Sequence, residues 1–575
     1  MEENSTLLVC SSLKHDIPFL SHALPPHAHT RTNAHSLPDA LSPHKHAYTH
    51  PHAHVHAHND TPPAFDFPFI DQASSALLPL LICAALCSVT LALRRAPRHK
   101  GQAEGAWVRP LSSLAEVVSA VGALFGSFNM AQVLWLTSPR PITQEQVHKA
   151  FTHIAQRVEV LRLAVAWRWL WPWFRRMPRV EVDLAVVEGD PEAVCEQQLA
   201  ATYDMAAGPL WRVRLVPLPP QRPGQHRAAL VFSFHHAVSD GTTNILVIKD
   251  LLHTLNAAAT GRDPIVPARP LMHSLTARTA TPRGWIATFT FVLAATRTAI
   301  TTAVSSHSLT SLLPPHDSRQ FVTKLLHHDL SEEATQQLLK QCRGAGVRVH
   351  SCITTAASLA MKRTTQHFAG RRQESLEVIQ EQVVNLRRFH KEQTEATGSM
   401  AVVMLQRHAV HDDPEAFWPL ARAMQARLDH NLEQRRAPLR SGALIWLVSG
   451  IVPINVLLAW LGLPSFNYSH IGYSNMGDLR RLLGPAEDAE DAPVQLSGVL
   501  RTVSNELLGS LCFVNCHTLD GRLSLSLDYF PNKMSGAAAR LMFTHLTHAL
   551  THLAASGSPS PPPASGAARG CNGNG

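Results

Sequence analysis

Apolar positions along the middle of the chain follow two different periods. From Ile142 to Val158 the spacing predicts a helix. Trp211-Arg212-Val213-Arg214-Leu215 alternates like a half-buried strand, and Ala228 to Phe234 is a short continuous apolar run, the pattern of a buried strand. Asn244 to Leu255 returns to helical spacing through Ile245, Leu246, Ile248, Leu251 and Leu252. Pro264 to Pro282 carries several prolines and reads as a linker. A second set follows. Ser331 to Cys342 is helical, with Ser331 as N-cap and Glu333 in the first turn. Ile353 to Arg363 is a further helix and Ser399 to Leu405 a strand. Leu511 to His517 and Arg522 to Phe530 flank Leu519-Asp520-Gly521, a hairpin signal. Ala537 to Ala554 closes the series as a helix. The sum is an α/β protein in two lobes, without a short-period repeat.

Other stretches are apolar without such alternation. Ala76 to Leu93 runs 18 residues without a charge, long enough to cross a bilayer core as a helix. Arg94, Arg95, Arg98 and Lys100 follow it, so one transmembrane helix is expected, with the remainder of the chain on the cytosolic side of a membrane such as the endoplasmic reticulum. Ala443 to Leu463 is equally free of charge. Trp285 to Leu313 is greasy but holds Arg297. Trp167 to Arg176 mixes four tryptophans with three arginines, which suits either a membrane–water interface or an edge strand with aromatic packing.

Composition sharpens this picture. Charged residues are 16% of the chain against roughly 25% in an average soluble protein. Hydrophobic residues are 45%, enough for sizeable cores. A net charge of +8 without a dense Lys/Arg block gives no sign of a nucleic-acid partner. The nine cysteines contain no CxxC pair, and their scatter argues against an extracellular disulfide scaffold. Residues 1–64 hold 12 of the 35 histidines. Alternating His-x-His suits transition metals, yet no carboxylate or cysteine is placed to close a site, so a solvated, disordered tail and no metal centre are expected. The predicted organisation is a tail at 1–72, the membrane helix at 73–95 and a first lobe at 105–283. An apolar crossover at 284–320, a second lobe at 321–555 and a disordered tail at 556–575 complete it.

Between the buried strand and the Asn244 helix lies His235-His236-Ala237-Val238-Ser239-Asp240-Gly241. A histidine here can serve as a general base, because its pKa lies near neutrality. A carboxylate four residues on can fix the turn by bonding to the imidazole or to an arginine, and Gly241 permits close backbone approach or positive φ.

HHxxxDG in this setting resembles the coenzyme-A-dependent acyltransferase superfamily, which includes condensation domains, alcohol acetyltransferases and, more distantly, wax ester synthase/diacylglycerol acyltransferases. Shorter pieces in the same order strengthen the resemblance: Arg157 to Arg162, Gly208-Pro209-Leu210-Trp211-Arg212, Val384-Asn385-Leu386-Arg387, Gly398-Ser399-Met400 and Ser474-Asn475-Met476-Gly477. No DFGWG element appears, and His350-Ser351 stands where wax ester synthases expect Asn-Asp.

The resemblance implies two chloramphenicol-acetyltransferase-like lobes forming a V around a central tunnel. His236 would take the proton from an acceptor as it attacks an acyl thioester. Asp240, the other candidate catalytic residue, would pair with an arginine, Arg212 or Arg162. His235 and Gly241 would support the motif. Ser474 and Asn475 would line the tunnel or support the oxyanion. Acyl-CoA would be the cosubstrate, with no bound cofactor, and a lipophilic alcohol the acceptor. An amine acceptor or an inactive membrane-tethered binding protein are the alternatives, and a monomer is expected.

Overall fold

A computed structural model describes residues 106–556, apart from 124–126, 169–170, 274–308, 315, 318–319, 391–393, 412, 434–454, 456–466, 486–491 and 508. The predicted membrane helix at Ala76–Leu93, the histidine-rich tail, most of Trp285–Leu313 and, save Asn455, the whole of Ala443–Leu463 lie outside these residues. Among the described residues no helix is long and apolar enough to cross a membrane.

The first lobe is built on a five-stranded sheet. Strand β2 (Asn129–Ser138) pairs antiparallel with β7 (His226–His235), and β7 with β6 (Trp211–Leu218). The short β5 (Leu184–Val186) lies parallel to β6 at one edge. Helix α2 (Gln144–Arg157) starts at a capping box between Thr143 and Gln146, which satisfies two backbone donors that a helix end leaves free. Its buried face carries Val147, Phe151 and Ile154 at helical spacing. Phe151 stacks on Trp211 at 5.5 Å and meets Phe232 edge-on at 4.9 Å. Burying such a side chain stabilises the lobe by roughly 1.5–3 kcal/mol. Helix α3 (Pro191–Ala200), capped by Asp190 with proline at its first turn, covers the opposite face through Val194, Cys195 and Leu199.

The Trp/Arg-rich stretch forms a separate three-stranded sheet. Its order is β1 (Trp107–Pro110), β4 (Trp171–Arg176), β3 (Leu163–Arg168). Here the Arg168 guanidinium lies over the rings of Trp107 and Trp173 at 5.4 and 5.2 Å. Phe174 is fully buried. This is aromatic strand packing, the second of the two sequence readings.

The second lobe has a six-stranded sheet. Strand β10 (Ala401–His411) forms one edge, followed by β9 (Ser375–Asn385) and β11 (Ile471–Asp478). Beyond them come β13 (Cys512–Leu519), β14 (Arg522–Tyr529) and β8 (Lys324–Asp329). Leu519 pairs with Arg522, so Asp520-Gly521 is a two-residue turn. Both turn residues have positive φ, 48° and 77°, as a hairpin of matching twist requires. Four helices share the core on this lobe: α5 (Glu332–Gly344), α6 (Val349–Ala369), α7 (Phe417–Glu433) and the closing α8 (Gly536–Ala555).

The lobes are not cleanly divided along the chain. Strand β12 (Gln495–Val503), expected in the second lobe, hydrogen-bonds antiparallel to β2 and becomes the edge of the first lobe's sheet. Its apolar residues Val499 and Leu500 enter that core, which is why the exchange holds. On the other side, Glu196 of α3 accepts bonds from Lys324 and from the Leu325 backbone of β8.

Candidate active site

Strand β7 ends at His235, and helix α4 (Gly241–Ala259) begins six residues later. The turn between them is fixed at both ends. The His236 N–H donates to the Phe128 carbonyl at 2.9 Å, and Asp240 caps the helix, its Oδ1 accepting the Thr243 N–H at 2.8 Å.

The two histidines face different surroundings. His235 is buried, its Nδ1 accepting the Ala237 N–H at 3.2 Å and its ring edge-on to Tyr203. Burial, with the His236 ring next to it, pushes its pKa down to about 3, so it is neutral packing. His236 is only partly buried and lines a cavity. Its Nδ1 lies 2.9 Å from the Ser239 carbonyl, which can only accept. Nδ1 therefore carries the hydrogen and Nε2 the lone pair. Burial holds the imidazole below its ordinary pKa, with Asp240 only partly offsetting it, so the ring is neutral near pH 7.

Asp240 does not touch the imidazole. Its Oδ2 accepts from Arg387 Nη1 at 2.5 Å and from the Met400 N–H at 2.8 Å. Burial alone would raise this carboxyl, but the guanidinium and the backbone donors outweigh it and hold the pKa below its ordinary value. Arg387 also donates to Thr243 Oγ1 and to the carbonyls of Ala396 and Gly398. The motif of the first lobe is thus clasped to the segment between β9 and β10 of the second. The expectation of Arg212 or Arg162 as the partner is corrected. Arg212 lies 3.9 Å from the Tyr203 ring centroid, bonds to the Thr202 carbonyl and pairs with Asp183. Arg162 sits in the short 3-10 turn before β3. Neither reaches Asp240, because both lie on the first lobe's own elements while the carboxylate points across the interface.

The cavity, about 140 Å³, lies between the two sheets under α1 (Leu114–Gly122). Val118, Phe128, Met130, Val403 and Phe513 give it apolar walls. Gly241 lines it and matters through closeness rather than φ: an added Cβ would lie 2.9 Å from Met476 Sδ and 3.2 Å from Arg501 Nη2, so those side chains would have to shift. Ser474 lines the cavity and accepts a bond from Arg501 at 2.9 Å. Asn475 is not among the lining residues, and its Oδ1 caps the turn at the Gly477 N–H. Arg387 and Arg501 are the residues that sequence reasoning missed. Arg387 was visible within Val384–Arg387 without a role, and Arg501 as a lone cation in the apolar run Val499–Val503. Among the described residues no cluster of histidine, cysteine and carboxylate groups could hold a metal ion.

Residues 125–273 match the condensation domain family. Solved structures share the fold over most of the chain. The first condensation domain of the calcium-dependent antibiotic synthetase aligns over 78% of this chain and 97% of its own, at TM-score 0.54 and 15% identity. This is a condensation-domain fold. The same fold is seen in the TRI3 trichothecene 15-O-acetyltransferase of Fusarium sporotrichioides. That enzyme aligns over 79% of this chain and 97% of its own, at TM-score 0.57 and 12% identity. In sequence, the chain is 30% identical over 151 residues to phosphinothricin tripeptide synthetase PhsC of Streptomyces viridochromogenes. The match covers 24% of this chain and only 13% of that protein.

Proposed function

We propose that the protein transfers an acyl group from acyl-CoA to the hydroxyl of a lipophilic acceptor, with His236 as general base. One observation carries this reading: the Ser239 carbonyl holds the Nδ1 hydrogen, so a neutral imidazole offers its Nε2 lone pair at a mostly apolar cavity. Nε2 takes the acceptor proton as the acceptor oxygen attacks the thioester carbonyl. The tetrahedral oxyanion then collapses, the C–S bond breaks, and the imidazolium returns the proton to the CoA thiolate. No acyl-enzyme forms, so no nucleophilic serine or cysteine is needed. Asp240 is a positioning residue, since both its oxygens are occupied by Arg387, Thr243 and Met400.

The same base would serve an amine acceptor, and the condensation-domain match at residues 125–273 favours that second reading. A membrane anchor at Ala76–Leu93, with the site on the cytosolic side, would bring lipophilic acceptors to it. The test is release of free CoA from acyl-CoAs of several chain lengths, with alcohols and with amines. His236→Ala should lower turnover by about 10²–10⁴ while leaving the melting temperature near wild type, the usual contribution of a positioned base. A folded His236→Ala protein with near-normal turnover would overturn the mechanism. No release with any pair would favour a binding protein of the same fold.

A further inference from the structure

Arg501 stands out among the groups around the cavity. It is 6% exposed, yet among the described residues no carboxylate forms an ion pair with it. Of its five N–H donors, one meets Ser474 Oγ at 2.9 Å, another reaches the Cys516 carbonyl only at 3.5 Å, and Nε has no acceptor. The nearby Asp528 is spent elsewhere, accepting from Thr502, Val503 and Asn515, and burial pushes its pKa up to about 7. Glu381 also lines the cavity, but it accepts from Ser469. Burial lowers the Arg501 pKa to about 10, which still leaves it charged at neutral pH.

A second residue with an unpartnered donor lines the same cavity. Asn244, on the first turn of α4, is 1% exposed and lines the cavity. Ser239 Oγ donates to its Oδ1, which leaves its Nδ2 as the free end, and Nδ2 has no partner. An unpaired buried cation and an unpaired buried amide each cost free energy that an anion between them would recover.

We propose that the substrate group taken into this cavity carries a carboxylate, bound by Arg501 and the Asn244 amide. The inference rests on the acyl-transfer reading and adds its substrate class. Apolar walls call for an anion with an apolar body, and cavities of roughly 150 Å³ take a benzene ring. The carboxylate could belong to the acceptor or to the acyl group.

The test uses the full chain with benzoate and its neutral isostere benzamide, binding being followed by calorimetry. Benzoate should bind roughly tenfold to a hundredfold tighter than benzamide, the worth of a hydrogen bond to a charged group. Arg501→Gln should bring the two together. Equal binding of the two by the wild-type chain, no binding of benzoate, or a preference that survives Arg501→Gln would overturn the proposal. The wild-type comparison stands even if the variant does not fold. CoA release then locates the carboxylate. A preference for para-hydroxybenzoate over para-hydroxybenzamide, with acetyl-CoA, puts it on the acceptor. A preference for succinyl-CoA over butyryl-CoA, with a simple alcohol, puts it on the acyl group. Benzoate binding without CoA release in any arm would count against acyl transfer and leave the anion subsite standing.

Discussion

Arg387 and Arg501 are both guanidinium groups sunk between the lobes, 4% and 6% exposed. Each leaves its Nε without an acceptor. There the likeness ends. Arg387 has a carboxylate on one terminal nitrogen and a hydroxyl with two carbonyls around the other. Arg501 has one hydroxyl and one distant carbonyl. A buried charge must recover the cost of leaving water, through partners in the protein or in a ligand. Arg387 recovers it within the fold and so joins the lobes. Arg501 borders the cavity instead, where the proposed carboxylate would recover it.

Breaking the satisfied pair should have the largest effect. Asp240→Ala leaves Arg387 buried and uncompensated, and should lower stability by about 3–5 kcal/mol in denaturant unfolding. Adding Arg387→Met should restore much of that loss, since it removes the orphaned charge. A double variant no better than the single one would mean that Arg387 does not carry the cost. Arg501 should respond with the opposite sign. Arg501→Met replaces an uncompensated cation by an apolar side chain of similar length and should leave stability unchanged or raise it by about 1–4 kcal/mol. A loss like that of Asp240→Ala would erase the distinction between the two arginines.

A smaller effect sharpens the comparison without touching either arginine. His327 on β8 is a third cation at the lobe boundary, and its charge can be switched by pH. Burial would lower its pKa, but bonds to Asp329 and to Glu192 of α3 prevail and raise it to about 9. A raised folded-state value means that this stability is fully present below the ordinary pKa near 6.5. It is lost as pH rises through 9. The melting temperature should therefore fall over that window, and His327→Gln should flatten this part of the profile. An unchanged profile in the variant would show that the ion pair does not hold β8 to α3.

What the sequence made legible was local. The strand, the HHxxxDG turn and the helix it opens are contiguous, and Asp240-Gly241 carries its own capping logic, so this unit was readable at once. The Leu519-Asp520-Gly521 hairpin was readable for the same reason. The partner of Asp240 was not, because Arg387 lies 147 residues away and only the folded lobes bring it across. Arg212 and Arg162 were nearer in sequence and satisfied the same charge argument. The role of Arg501 was hidden twice over. Its strand was expected in the other lobe, and a single arginine between Leu500 and Thr502 looks like any solvated position until β12 is seen against β2.

That crossing strand has a consequence for how the protein must be made. On a ribosome, β2 emerges as residue 138 leaves the exit tunnel, but the strand that covers its outer side ends at residue 503. At roughly 5–20 residues per second, the interval between them is on the order of 20–70 s. For that time the N-terminal sheet keeps an unpaired edge, a template for pairing with another nascent chain. Holding that edge apart until β12 has been made would fall to chaperones. The first lobe accordingly cannot be expressed complete from a segment that stops short of β12.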